Sequence, residues 1–380
     1  MLFIDVDTGI DDALALAFMV GAAKAGEFCG RFAMIASYGN VTQARAEVNT
    51  RAVLALLGRT DIDVWQGPKH PSWASGFIPD AGCALFHGDN GLGGVDPRDF
   101  GSDISSADIG TDTHLLESVE RYVTQGFGVS IGGYRSGDRH ANPAPVVGDL
   151  MQVTTTSGQQ ALAHTELSQG AQKIIDALEH SPVTVVTVGP LTTVDQVLRA
   201  RPELAERLRI VSMGGAVTQP GNCWGAVAET NMIQDPEAAD RVFHSGADVT
   251  LVPLDVTHQV LCGAQAIESW RVSEAGNFFT QIAKFSITAN ARSSRIFAQG
   301  MPLHDPLAVA VALDPSLVSI LELPMCVETQ TSDTHGVRGR TIGDPYGLND
   351  PSATRIRMAI GVNREVFLNR FIATVHEAVS

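Results

Sequence analysis

The chain has 380 residues, of which 44% are hydrophobic and 18% charged, so it can bury a large core and reads as globular. A formal net charge of −16 argues against nucleic acid and acidic membranes as partners, since both reward clustered Lys and Arg; a small neutral or cationic ligand fits better. No apolar run approaches the roughly 20 residues needed to cross a bilayer. No charged leader precedes an apolar run, and Cys29, Cys83, Cys223, Cys262 and Cys326, scattered and free of C-x-x-C spacing, suggest reduced thiols in a cytoplasm.

Residues 2–6 read as a short buried strand, Gly9 permits a turn, and a helix opens at Asp12 and runs to about residue 25. Four carboxylates crowd this corner. Asp5 and Asp7 share a strand face, while Asp11 and Asp12 fall where a helix leaves free N–H groups and a positive dipole end. Asp11 or Asp12 alone reads equally well as a helix cap. All four together call for a cation, and hard oxygen ligands suit Ca2+ or Mg2+.

A second strand is expected at 32–38, ending in Gly39-Asn40-Val41, then a helix at 45–57 and a third strand at 63–67. Strands alternating with helices predict a mostly parallel sheet flanked by helices, with ligands bound beyond the carboxyl ends of the strands. The Gly-rich stretch His87-Gly88-Asp89-Asn90-Gly91-Leu92-Gly93-Gly94 is placed to overhang that crevice. From about 96 to 168 the periodicity fades into an irregular excursion, with a possible helix at 114–123. Order returns with an amphipathic helix from Ala171, a β-branched strand at 182–188, and a helix whose start is capped by a threonine at Thr192 or Thr193. Further strands are expected at 208–213, 249–252, 318–327 and 356–362. Helices are expected from Pro236, at 278–297, from His304 and from Arg364. No repeat or composition break divides the chain, so the expectation is one large Rossmann-like α/β domain spanning 1–380.

Polar residues without an evident packing duty recur after successive strands: Asp5, Asp7, Asp11, Asp12; Asn40; His87; Asn222, Glu229, Asn231; His304, Asp305. Carboxylates and amides around a cation suit a polyol such as a sugar, whose vicinal hydroxyls chelate the ion and form paired hydrogen bonds. Lys and Arg are nearly absent from the set, which disfavours a phosphorylated substrate.

Asp5-Val-Asp7-Thr-Gly-Ile-Asp11-Asp12, Gly39-Asn40-Val41, His87-Gly88 with Gly91-Leu92-Gly93, Val188-Gly189-Pro190-Leu191-Thr192, Met213-Gly214-Gly215, Glu229-Thr230-Asn231 and Leu303-His304-Asp305-Pro306 together resemble the inosine-uridine-preferring nucleoside hydrolases. They stand in that family's order. The resemblance implies that Asp7, Asp12, Asp305 and the Val188 carbonyl bind Ca2+, that Asp7 is the general base, and that Asp11, Asn222, Glu229 and Asn231 grip the ribose. It further implies that Asn40 steadies water or sugar, that His304 helps protonate the departing base, and that the protein is a homodimer or homotetramer. His87 is a candidate substrate contact, although a Gly-rich loop can also hold a histidine for structure alone. Such chemistry is physically coherent: breaking an N-glycosidic bond builds positive charge on the ribose, which an anionic wall stabilises.

Departures from the family pattern touch base recognition. Thr8 replaces a proline, Thr230 stands where an aromatic often packs, and 289–300 lacks a tyrosine, offering Arg292, Arg295 and Phe297 instead. Asn222 lies one residue further from Glu229 than is usual. Cys223 and Trp224 are candidate pocket-lining residues. Two other readings are carried forward. One is a non-catalytic nucleoside or sugar binder on the same scaffold. The other is a haloacid-dehalogenase-type phosphatase, which Asp5-Val-Asp7-Thr also resembles but whose downstream lysine is missing between 183 and 255.

Overall fold

A computed structural model describes residues 1–104, 166–223, 226–330, 337–348 and 353–380. The chain enters through β1 (Leu2–Val6), α1 (Ile10–Lys24), β2 (Phe32–Ala36), α2 (Gln43–Leu56), β3 (Val64–Gln66) and α3 (Ala81–His87). It continues through α4 (Gln169–Leu178), β4 (Val183–Thr187), α5 (Thr192–Ala200), β5 (Leu208–Met213), α6 (Thr230–Gln234), α7 (Pro236–Phe243), β6 (Asp248–Val252) and α8 (Leu254–Thr257). After β7 (Leu261–Cys262), α9 (Ala264–Ile267), α10 (Glu274–Ser293), β8 (Met301–Pro302) and α11 (His304–Leu313), it ends with β9 (Val318–Val327), β10 (Thr341–Gly343), β11 (Arg355–Val362) and α12 (Arg364–Val379).

Among the described residues nine strands form one sheet in the order β10-β9-β11-β6-β5-β4-β1-β2-β3, and β7 pairs with β8 apart from it. Strands β1 to β6 and β11 run parallel, with Asp5 opposite Ile35 on one side and Thr187 on the other. Only β9 reverses, antiparallel to both β11 and β10. The winding departs from β1 in both directions, to β2 and β3 on one side and to β4, β5 and β6 on the other. The crevice beyond β1 and β4 is therefore a topological switch point, where an open α/β sheet leaves room for a ligand.

Each face of the sheet is covered. Leu2, Ile4 and Val6 look into a core built with α1, α11 and α12, while Phe3, Val183 and Val185 look into the opposite core with α4, α5 and α7. Helix α1 is apolar on nearly every side because it is buried on nearly every side, and Phe18 ties it to Phe367 and Phe371 of α12 with ring centroids 6.3 and 6.1 Å apart. Truncating a phenylalanine in such a place costs about 3–5 kcal/mol.

Two expectations need correction. Thr192 does not cap α5: the cap position is Leu191, without a side-chain bond. The Thr192 hydroxyl instead donates to the buried Asp235 carboxylate at 2.7 Å and contacts the Tyr38 hydroxyl at 2.8 Å, because a charged acceptor makes the stronger bond. Asp235 also caps α7 and holds Ser72 through its amide and hydroxyl, both at 2.7 Å, while the Trp73 indole donates to the Gln234 carbonyl. The loop 67–80 is thus fastened across the top of the sheet. Second, the Gly-rich stretch 87–94 does not begin as loop, since His87 is the last residue of α3. Of the irregular excursion, 105–165 lies outside the described residues, as do the possible helix at 114–123 and Trp224.

Candidate active site

Strand β1 delivers its carboxylates to the switch point by simple alternation. Asp5, fully buried on the side of Phe3, accepts the Ser37 hydroxyl, which in turn lies 3.2 Å from Thr193. Burial pushes its pKa up to about 7. Asp7, one residue past the strand, accepts the Asn40 amide at 2.7 Å and the Asn40 Nδ2 at 3.2 Å. A side chain at position 39 would land on the Asp7 carboxylate, so glycine there is a requirement of close approach.

Asp12 serves two purposes. Its Oδ2 accepts the Gly9 amide at 2.8 Å and Asn40 Nδ2 at 3.2 Å, and its Oδ1 accepts the Asp7 amide at 3.1 Å, which makes it a cap for α1. It also converges on a second group. Among the described residues, carboxylate oxygens of Asp11, Asp12 and Asp305 lie within 4.8 Å of one another. Asp305 arrives from the first turn of α11 and is buried, and its Oδ2 and the Asp11 Oδ1 have no hydrogen-bond partner among the described residues. Orphaned carboxylate oxygens facing one another fit a hard divalent cation. Electrostatics agrees: burial, then neighbouring carboxylates, hold Asp7 and Asp305 well above the usual carboxylate range and Asp12 at about 7.

The family resemblance implies Asp7 rather than Asp11 among the metal ligands. In the structure Asp11 belongs to the tightest group, and Asp7 borders it through Asp12 and Asn40. The Val188 carbonyl, just beyond β4, accepts Asn231 Nδ2 at 2.9 Å and keeps one lone pair.

Glu229 caps α6. Its Oε1 accepts the Asn231 amide at 3.0 Å, and its Oε2 accepts the Gly215 and Met232 amides at 3.0 and 3.1 Å. A carboxylate offers about four acceptor sites, so roughly one remains for a ligand hydroxyl. Gly214 and Gly215, at φ 155° and 84°, let the chain turn under that carboxylate. Asn231 spends its Nδ2 on the Val188 and Met213 carbonyls, which leaves its Oδ1 available. Asn222 is exposed, and its Oδ1 is committed to the Thr230 amide and hydroxyl at 3.0 and 3.2 Å.

Histidines close the other end. His87 Nδ1 accepts the Ile10 amide at 3.1 Å, and an amide can only donate, so this nitrogen carries no hydrogen. Its 3.6 Å approach to Asp11 Oδ1 is therefore not an ion pair. His304 Nδ1 lies 2.8 Å from the Thr257 hydroxyl, with the His258 ring at 5.5 Å and Phe297 beyond it, 5.0 Å from His258. Burial, then His258 and His87, keep His304 well below the ordinary histidine range. A cavity of about 350 Å³ lies between α3 and the end of α10, lined by Leu85, Phe86, Phe285 and Arg292 among others.

Residues 2–369 match the model of the inosine-uridine preferring nucleoside hydrolase family. The chain belongs to that family. A pyrimidine-specific ribonucleoside hydrolase of Escherichia coli is 30% identical over 373 residues, covering 97% of this chain and 96% of the relative. A solved purine-preferring ribonucleoside hydrolase from Gardnerella vaginalis superposes with a TM-score of 0.74 at 31% identity, over 100% of this chain and 99% of that one. A plant nucleoside hydrolase shares the fold, with a TM-score of 0.72 at 24% identity and 98% of both chains covered. The protein is accordingly an N-glycosyl hydrolase of ribonucleosides, and the phosphatase reading is dropped.

Within this nucleoside hydrolase several supporting residues escape the motifs. Asn49, buried on α2, donates Nδ2 to the Thr8 and Asn90 carbonyls at 3.2 and 2.8 Å, tying the acidic turn to the Gly-rich loop. Asp255 binds the Val217 and Thr218 amides at 3.0 and 2.8 Å and so fixes the loop after β5. An asparagine three or four residues from Ala46, Ala52 and Val53 on α2 is the signal that could have found Asn49.

Proposed function

We propose that this protein hydrolyses ribonucleosides to ribose and free base in a Ca2+-dependent reaction. The observation that carries the reading is the convergence of Asp11, Asp12 and Asp305 at the switch point, with two oxygens left unpartnered. Asp12 and Asp305 of that group would hold the ion together with the bordering Asp7 and the Val188 carbonyl, and Asp11, the third member of the group, would face both the ion and the sugar. When bound, a divalent ion supplies a Lewis acid that makes water easier to deprotonate and a centre for vicinal hydroxyls.

The chain's own groups supply the rest. Asp7 Oδ1 and Oδ2, held by Asn40, take the proton of the attacking water. Asp11, Asn231 Oδ1 and the remaining acceptor of Glu229 bind ribose hydroxyls, with Asn222 at the solvent side. As the C1′–N bond lengthens, positive charge grows on the sugar, facing this wall of oxygens. His304 and His87 lie at the base end. Neutral in the free protein, His304 donates a hydrogen bond to the leaving base rather than arriving as a charged acid.

Both a pyrimidine-specific and a purine-preferring relative stand at about this identity, so base preference is read by experiment. Reducing-sugar release from inosine, uridine, cytidine and adenosine, with and without a chelator, tests the proposal. Turnover that survives complete metal removal would defeat it, and nucleoside binding without any turnover would favour the non-catalytic reading. The free thiols suit a reducing cytoplasm, and a homodimer or homotetramer is the assembly expected in solution.

A further inference from the structure

We infer that Thr257 is a positioning residue for the hydrolysis, holding His304 in the tautomer that presents an N–H to the departing base. The inference rests on the reading of His304 as the base's hydrogen-bond partner. Thr257 ends α8 and is fully buried. Its hydroxyl lies 2.8 Å from His304 Nδ1, and neither group has another side-chain partner among the described residues.

Two directions are open for this bond, and they are not equivalent. If Nδ1–H donated to the threonine, the hydroxyl hydrogen would be sealed in the core without an acceptor, a costly arrangement. If the hydroxyl donates to Nδ1, every group is satisfied and the imidazole hydrogen sits on Nε2. The same outcome is imposed on His87 by the Ile10 amide, which can only donate. The two histidines at the base end are thus held alike, one by a backbone amide and one by a side-chain hydroxyl.

Thr257 is itself well placed to act as a fixed reference. The Pro253 carbonyl accepts the amides of Val256 and Thr257, at 3.0 and 3.1 Å, and Asp255 in the same short helix is bound to the Val217 and Thr218 amides. His258 then packs its ring edge-on against His304, backed by Phe297. In the reaction the C1′–N bond breaks with its electron pair going to the base, a C1′–O bond forms from water, and the water proton passes to Asp7. The base leaves as a developing anion, which Nε2–H stabilises. The opposite tautomer would turn a lone pair toward that anion and oppose its departure.

Thr257→Val removes the hydroxyl at nearly constant shape, and Thr257→Ser keeps it. We expect Thr257→Val to lower kcat on inosine or uridine roughly 10- to 100-fold, toward the lower range for a positioned proton donor. KM should stay within about threefold. A 4-nitrophenyl riboside, whose leaving group needs no such help, should be cleaved at about the wild-type rate, and Thr257→Ser should recover most of the natural-substrate rate. Equal loss on both substrates, or no loss on either, would overturn the inference.

His304→Ala, measured in parallel, separates the two levels. An equal loss on both substrates there removes the leaving-group role itself, whereas a selective loss in His304→Ala with none in Thr257→Val removes only the positioning role. Should the valine variant not fold, long-range 1H–15N spectra of the wild-type histidines decide: Nε2–H at His304 is the expected form, and Nδ1–H overturns it.

Discussion

Stability should depend on Ca2+ more strongly as pH rises. Asp12 is fully buried, and its carboxyl ionises near 3.8 when unfolded but at about 7 in the folded protein. Between those values the folded state holds a proton that the unfolded state has lost, so the ion-free protein weakens as pH climbs from about 4 to 7. The full effect of this one carboxyl is about 4 kcal/mol at roughly 1.4 kcal/mol per pH unit. An ion that takes the place of the proton offsets that loss. From pH 5 to 7, where a carboxyl titrating at about 7 becomes half ionised, the displaced proton adds about 2 kcal/mol to the Ca2+-dependent stabilisation. For 380 residues the unfolding entropy is about 0.8 kcal/mol/K, so the gap between melts with excess Ca2+ and with chelator should widen by roughly 3 °C for Asp12 alone. Asp7 and Asp305, also raised by burial and by neighbouring carboxylates, act in the same direction. Differential scanning calorimetry at pH 5, 6, 7 and 8 reads it directly. A gap that stays constant or narrows with rising pH would refute the assignment of these carboxyls to one ion.

Asp7→Asn should keep the fold by circular dichroism while losing about 10²- to 10⁴-fold in kcat, the usual share of a general base; near-normal turnover would remove Asp7 from that role. Gly39→Ala puts a methyl group onto the Asp7 carboxylate, and a displacement of about 1 Å should cost roughly 100-fold in kcat/KM, measured beside an unchanged far-ultraviolet spectrum. Glu229→Gln replaces an acceptor of three amides with a group that has one acceptor oxygen, so unfolding free energy should fall by about 1–3 kcal/mol and KM should rise more than kcat falls.

The acidic corner was legible because its four carboxylates are close in sequence and the strand-to-helix turn does the rest of the positioning. Asp305 was legible only through its neighbours, since no local pattern says that α11 returns to β1. The alternation of strands and helices announced a parallel sheet, and its order came only with the fold. Three-residue β10 and seven-residue α3 are too short for periodicity to register. Thr192 misled because cap propensity describes a helix end in water, whereas here a buried carboxylate competes for the hydroxyl. Thr257 was invisible for a related reason: its partner lies 47 residues away, and nothing in a lone threonine reports a long-range bond.

The stretch from Ser72 to His87 is pinned at both ends, at Asp235 by Ser72 and at the Ile10 amide by His87. Substitutions between those two anchors can then reshape the chain leading into His87 while the bonds at Asp235 and Ile10 keep its two ends in place.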